Sequence, residues 1–343
     1  MHILHVIAGA EVGGAETYAQ DAILALHARG IRQTVLTRPW PRVMARYAAA
    51  GMAARPFQFG LTDWFFGPGR IRKAAASADL VHAWMQRAGS FVPEMPCPVL
   101  AWFGDYYKLK YFPHADACVG VTRDIAAYIT KQGWPADRVF TVNTFGTMPD
   151  APPVSRASLD TPEGAPVLLV LSRMHPVKGI DTMLQALVQL PGAFLWLAGD
   201  GPEKARYQAL ATELGLADRV RFLGWRNDRK SLIAAADIVV LPSRYEPFGT
   251  VIAEAWAMHR PLVATLADGA RQYVTDGVNG LLCPIDDPAA LAAKLRRAID
   301  SPELRAHLAF GGDLAYQADF TQDVAVERLL ACYRSTIALG KRA

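Results

Sequence analysis

Short apolar runs alternate with stretches of helical periodicity along nearly the whole chain. HILHVI (2–7) opens the series, followed by the glycine-bearing AGAEVGGAET. Tyr18, Ala19, Ala22, Ile23 and Leu26 then recur at the spacing of one helix face, predicting a helix to about Arg29. TVLTR, a helix around 41–50, DLVHAW (79–84), PVLAWF (98–103) and ACVGVT (117–122) with RDIAAYITKQG behind it continue the pattern. Runs this short and apolar, set between helices, read as parallel strands buried on both faces. PDAPPVSRASLDTPEGAP (149–166), rich in Pro, Ser and acidic residues, reads as an interdomain linker.

After it the alternation restarts. VLLVLS (167–172), AFLWLAG (193–199), RVRFLG (219–224), DIVVLPS (237–243), PLVATL (261–266) and GLLCP (280–284) read as six strands. Helices are predicted from about 180, from 203, near 229–235, at 249–258 and at 288–299, and 301–337 reads as helical throughout. The expected fold class is α/β, with two Rossmann-like doubly wound domains in tandem facing a central cleft. The expected bounds are 1–155 and 156–315, with 316–343 as a terminal helix. Ligands of such sheets bind beyond the carboxyl ends of the strands, so each domain can bring one substrate and closure can exclude water.

Composition narrows this little further. The chain has 343 residues, 52% hydrophobic, with net charge +4. Residues 1–150 hold 15 Lys/Arg against 11 Asp/Glu, the remainder 21 against 21. So mild an excess argues against nucleic acid and is compatible with an anionic surface or acceptor near the first domain. Cys97, Cys118, Cys283 and Cys332 form no CxxC pair, which argues against a zinc ribbon and fits reduced thiols in the cytosol. MHILHVIAGA lacks a basic leader and reads as a strand, and no apolar stretch approaches the ~20 residues that span a bilayer.

The loops after the strands of the second series carry the chemistry. RMHPVKGIDT sets Arg173 and Lys178 beside a helix start, whose amide groups and dipole attract anions. DGPE after AFLWLAG allows a tight turn, and WRND after RVRFLG could hold a base by backbone hydrogen bonds. SRYEPFGTVIAEAWAM places Pro247, Phe248 and Gly249 before a helix starting near Gly249 or Thr250, with Glu246 before it and Glu254 one turn in. Two carboxylates flanking a phosphate-binding terminus fit the hydroxyl pairs of a ribose and of a sugar, one glutamate for each.

On these residues the chain resembles the family-4 retaining glycosyltransferases of the two-domain GT-B fold. VGGAET (12–17), LSRMHPVKGID (171–181), LAGDGPE (197–203), VRFLGWRND (220–228), ADIVVLPSRYEPFGTVIAEAWA (236–257) and DGVNGLLCPIDDPAALA (276–292) carry the resemblance over essentially the full length. The E-x7-E element from Glu246 to Glu254 is the most specific of them. The resemblance implies a sugar-nucleotide donor, UDP-linked by preference, held by the second domain. It implies Arg173 and Lys178 on the pyrophosphate, Glu254 on the ribose, Glu246 on the donor sugar, and Gly249, Thr250 and Val251 as backbone donors to phosphate, with Phe248 in the same loop. Gly13 and Gly14 match the first domain's glycine loop, Trp225 or Arg226 falls at the base, and the terminal helix crosses back to the first domain. It also implies a reaction without metal or organic cofactor and without an agreed protein nucleophile.

Two positions depart from the pattern. Where many relatives carry a cleft histidine at the end of the strand PVLAWF, this chain has Asp105, with His82, at the end of DLVHAW, as a second candidate for the cleft; Gln272 stands where many show an acidic residue. On the acceptor side, GDYYKLKYF (104–112) and WFFGPGRIRK (64–73) mix aromatics with cations, as for a sugar, a phosphate or an anionic headgroup. A saccharide or glycolipid acceptor, and a cytoplasmic enzyme peripheral to the membrane, would follow. A nicotinamide oxidoreductase is disfavoured because Gly9, Gly13 and Gly14 do not make G-x-G-x-x-G. A non-catalytic sugar-nucleotide binder or an epimerase remains the alternative.

Overall fold

The computed structural model describes every residue except Val12, Thr147, Pro149, Asp150 and Ala343. Part of the VGGAET motif and of the expected linker therefore lies outside the described residues. By compactness the chain divides into two units, Met1–Gly146 with Thr321–Ala343, and Thr147–Phe320. Residues 151–155 and 316–320, placed otherwise from sequence, thus group with the second unit. Val154 N–H donates to Ser231 O, and the Arg156 guanidinium donates to Ala235 O, which ties the end of the linker to that unit.

The first unit contains β1 (His2–Ile7), β2 (Arg32–Thr37), β3 (Ala54–Pro56), β4 (Leu80–Trp84), β5 (Val99–Phe103), β6 (Ala117–Gly120) and β7 (Val139–Thr141). They form one parallel sheet in the order β3-β2-β1-β4-β5-β6-β7. The second unit contains β8 (Val167–Leu171), β9 (Phe194–Ala198), β10 (Val220–Gly224), β11 (Ile238–Leu241), β12 (Leu262–Thr265) and β13 (Leu281–Cys283), in the order β10-β9-β8-β11-β12-β13. The strand order of each parallel sheet reverses once, between β1 and β4 and between β8 and β11. These are the switch points where doubly wound sheets open a crevice at the strands' carboxyl ends.

Helices on both sides bury these strands. In the second unit Leu168, Val170, Leu195, Leu197, Ile238 and Val240 pack with Leu184, Leu187, Leu291 and Leu295 in one core. Each such side chain contributes about 1.5–3 kcal/mol of hydrophobic stabilisation.

Four elements of the first unit are absent from the sequence expectation. Strands β3 and β7 have three residues each, too short for a periodicity. Helix Leu61–Ala74 contains Gly-Pro-Gly at 67–69, which reads as a breaker, and helix Met85–Phe91 follows its strand without a loop. The stretch 301–337 is two helices. Pro302–Asp319 ends at Phe320, and Thr321 Oγ1 accepts from Val324 N–H to start Gln322–Leu339. This last helix belongs to the first unit: Arg29 pairs with Asp323 and Glu327, and Leu329, Cys332 and Tyr333 are buried.

Behind the first sheet's switch point lies a buried polar-aromatic cluster. Trp84 Nε1–H donates to His5 Nδ1 at 3.1 Å, which leaves the proton of the neutral ring on Nε2, facing Gln33 Oε1 at 2.8 Å. His82 Nδ1 and the Tyr333 hydroxyl are 2.7 Å apart. Burial pushes His5 from 6.5 down to about 3 and lowers His82 well below its ordinary value. The unfolded chain therefore binds more protons than the folded one below about pH 6.5, so stability is lost as the pH falls through that value toward 3. We expect the free energy of unfolding, and with it the urea midpoint, to drop between pH 7 and pH 5, the free energy by up to about 1.4 kcal/mol per pH unit for each histidine. The slope should shrink in His5→Gln; a pH-independent midpoint would contradict the assignment.

Candidate functional site

The two strands flanking the second switch point, β8 and β11, end in loops that are joined. Arg244 and Tyr245 N–H both donate to Val177 O, at 2.8 and 3.2 Å. Gly179 sits at φ +61°, and a Cβ there would come within 2.0 Å of Pro242 O, so only glycine lets the loops touch. The Arg244 guanidinium forks onto Asp181 at 2.9 and 3.0 Å and also reaches Asp286 at 2.6 Å, bracing the same junction. The β12 loop joins through Gly269 N–H, which donates to Glu246 O at 2.7 Å.

Two helices begin from this junction. Gly179 opens Ile180–Val188, and Gly249, also left-handed at φ +83°, opens Thr250–Ala257. The first amides of an α-helix have no partner inside it, so Thr250 and Val251 offer N–H groups at the switch point. Lys178 lies just before the first helix and Glu246 four residues before the second. Their side chains meet at 2.6 Å, Nζ to Oε2, and Ser243 Oγ donates to the same oxygen at 3.3 Å. Arg173, from the same loop as Lys178, is exposed and has no hydrogen bond or ion pair to another described residue.

Glu254 lies one turn into helix Thr250–Ala257 and is 3% exposed. Oε1 pairs with Arg229 Nη1 at 2.5 Å, whereas Oε2 is buried without a hydrogen-bond partner among the described residues. Burial pushes this carboxyl above the ordinary glutamate value, opposed by the charge of Arg229. Such an oxygen costs about 1–3 kcal/mol to leave unsatisfied. The helix is held from behind, where Trp256 Nε1–H donates to Asn279 O at 2.8 Å. Asn279 closes its own turn with Thr275 N–H and Tyr273 O, which gives the DGVNG motif a structural role.

The remaining sequence candidates fall into distinct places. Trp225 is 57% exposed, and Arg226 is occupied by a two-point pair with Asp228 at 2.7 and 2.5 Å. The Phe248 side chain is buried against Tyr273 and Phe320, leaving its backbone to the loop. Gln272 Nε2–H donates to Asp268 O at 2.8 Å. In the first unit Gly13 caps and Gly14 opens helix Gly14–Ala28 at the β1 end of the switch point, and Glu16 Oε1 accepts from Ala10 N–H at 3.0 Å across that loop. Asp105 lies two residues beyond β5, its Oδ1 accepting from Tyr106 N–H at 2.7 Å. His82 requires a correction: it is not at a strand end but inside β4, wholly buried and held by Tyr333, because β4 runs on to Trp84.

Arg229, Ser243 and Arg244 were not marked by the sequence. Residue 229 opens a helix of its own, and nothing along the chain joins it to position 254. Arg244, two residues before Glu246, is the one that a search for cations beside the glutamates could have found.

Two doubly wound units on one chain fit the GT-B fold, and the similarities that follow make the chain a glycosyltransferase of that fold. The structure of Anabaena Alr3699/HepE in complex with UDP shares this fold over 98% of this chain and 100% of its own, with a TM-score of 0.84 at 22% identity. The chain belongs to the glycosyl transferases group 1, whose family model matches residues 153–312. It is 33% identical over 337 residues to the lipopolysaccharide core biosynthesis glycosyltransferase LpsE of Rhizobium meliloti (strain 1021), spanning 96% of this chain and 98% of that one. LpsD of the same organism, also named for lipopolysaccharide core biosynthesis, is 32% identical over 345 residues, spanning 98% and 99%.

Proposed function

We propose that the second unit binds a nucleotide sugar, a UDP-sugar by preference, and that the enzyme moves the sugar with retention to a saccharide or glycolipid acceptor. A role in lipopolysaccharide core or related glycolipid synthesis is supported by the names of LpsE and LpsD. The donor class is supported by the UDP and UDP-glucose complexes of Alr3699/HepE. The observation that carries the reading is Glu254: a buried carboxylate oxygen without a partner among the described residues, one turn from a glycine-opened helix start, is suited to a ribose hydroxyl pair.

In the reaction the bond from the sugar's anomeric carbon to the diphosphate oxygen breaks, and a bond from that carbon to the acceptor oxygen forms. The acceptor's proton passes to the leaving phosphate in a front-face attack. Arg173, Lys178 and the amides of Thr250 and Val251 hold the growing negative charge on the diphosphate, and Glu246 meets the donor sugar's hydroxyls. Lys178 therefore exchanges part of its contact with Glu246 for phosphate. We assign no metal or organic cofactor to these steps, and activity is expected to persist in a chelator such as EDTA. The test of the reading is a thermal-shift panel of UDP-, GDP- and ADP-sugars with NAD as the control. A rise in melting temperature with one nucleotide sugar is expected; stabilisation by NAD and by none of the sugars would overturn it.

A further inference from the structure

We propose that Arg244 is a positioning residue for the transfer reaction: it meets no reacting group and acts by fixing the turn that carries Lys178. The inference rests on the reading of Lys178 given above. A guanidinium has five N–H donors, and those of Arg244 are all taken. Nε–H donates to Asp286 Oδ1 at 2.6 Å. One Nη1–H goes to Pro176 O at 2.5 Å and the other to Asp181 Oδ1 at 2.9 Å. The two Nη2 hydrogens go to Asp181 Oδ2 at 3.0 Å and Thr182 Oγ1 at 3.3 Å. No N–H is left to meet a ligand, unlike those of the exposed Arg173.

The contacts gather three loops of the second unit. Pro176–Thr182 follows β8, Arg244 itself follows β11, and Asp286 follows β13. Pro176 opens the single turn Pro176–Lys178, and Asp181 lies in the first turn of the helix behind it. Arg244 therefore grips the chain on both sides of Lys178, at 176 and at 181–182. Its backbone N–H donates to Val177 O at 2.8 Å, one residue from the lysine. Two residues further on, Glu246 Oε2 meets Lys178 Nζ at 2.6 Å. Thr182 Oγ1–H also donates to Asp286 Oδ1 at 3.2 Å, which closes the network on itself. The stem of Lys178 is flexible, so where its charge falls depends on how its turn is held. A misplacement of about 1 Å can cost about 10²-fold in rate. Lysine at position 244 would keep the charge, but its donors radiate from one point and do not span these acceptors.

The test is a double-mutant cycle. The substrate is the nucleotide sugar that raises the melting temperature in the panel above, and release of its nucleoside diphosphate to water is followed. Arg244→Ala is expected to lower kcat about tenfold with KM changed less than about threefold, and Arg244→Lys to lower kcat about fivefold. In a Lys178→Ala background, adding Arg244→Ala should change kcat less than about twofold, because the group through which it acts is gone. Arg206 Nη2 lies 3.9 Å from Asp181 Oδ2, and the Asp286 side chain is half exposed, so neither acid is stranded and the fold should survive. If Arg244→Ala does unfold, Arg244→Lys carries the same cycle. A native kcat in Arg244→Lys would overturn the proposal, since charge alone would then suffice. Equal losses from Arg244→Ala in the two backgrounds would overturn it as well, since the residue would then act independently of Lys178. A native kcat in Lys178→Ala would take down the reading of Lys178 and this proposal together, so the two failures are told apart.

Discussion

Lys178→Ala is expected to lower kcat by about 10²–10³-fold while moving the melting temperature little. Its ammonium stands just before helix Ile180–Val188 and pairs with Glu246, four residues before helix Thr250–Ala257, where negative charge would grow on the departing diphosphate in the proposed reaction. A contact that strengthens as charge develops acts on kcat more than on KM. The 2.6 Å pair with Glu246 is not a large source of stability, since both side chains keep partial access to water. Removing the lysine leaves Glu246 with Ser243 Oγ–H and solvent. Arg173→Ala should act in the same direction. Steady-state kinetics with a saturating donor decide the matter, and a kcat within a factor of two of the native enzyme would remove Lys178 from the reaction.

Glu254→Gln should separate stability from function. The native carboxylate is buried with Oε2 unsatisfied, so its charge is expensive to keep in the folded chain. The amide has the same shape and no charge, and Arg229, which is 36% exposed at its side chain, can turn to water. The melting temperature should therefore hold or rise. Donor affinity should fall about 10–100-fold, because the charge-assisted hydrogen bonds proposed to the ribose hydroxyls would become neutral ones.

The pH dependence follows from the same burial. The folded-state carboxyl lies above the ordinary glutamate value, so protonation as the pH falls toward that raised value stabilises the fold but weakens the donor complex. Arg229→Ala removes the charge that opposes the shift, so donor binding should fail at a higher pH than in the native enzyme. Calorimetric titration of a nucleotide sugar from pH 7.5 to pH 5 would show both effects. Equal affinity of Glu254→Gln and the native chain would mean that the glutamate does not contact the donor.

Apolar runs and helical spacing were enough to set out both series of strands, because a strand buried on two faces must be apolar along its length and a covering helix must repeat. The same reading missed β3 and β7, three residues each, and helix Leu61–Ala74, whose Gly-Pro-Gly step is tolerated within the helix. A strand of three residues has no period to detect, and a breaker can be overridden by anchors elsewhere, here Asp63 and Ile71. The spacing from Glu246 to Glu254 placed one glutamate before the helix start and the other one turn in, since 3.6 residues per turn is a local rule.

What each of those side chains touches was not local. The meeting of Lys178 with Glu246 across 68 residues, and of Arg229 with Glu254 across 25, depends on sheet order, which sets β8 beside β11. His82 shows the same division from the other side: its strand was legible, but its burial against Tyr333 needed a helix 251 residues away. The sequence by itself determined most of the elements, the tandem doubly wound class and the loops that are candidates for chemistry, because propensity and periodicity act between near neighbours. Only the tertiary structure decided which charges are paired, which carboxylate oxygen is left open and which histidine is sealed in the core, because burial and ion pairing are set by strands and helices remote along the chain.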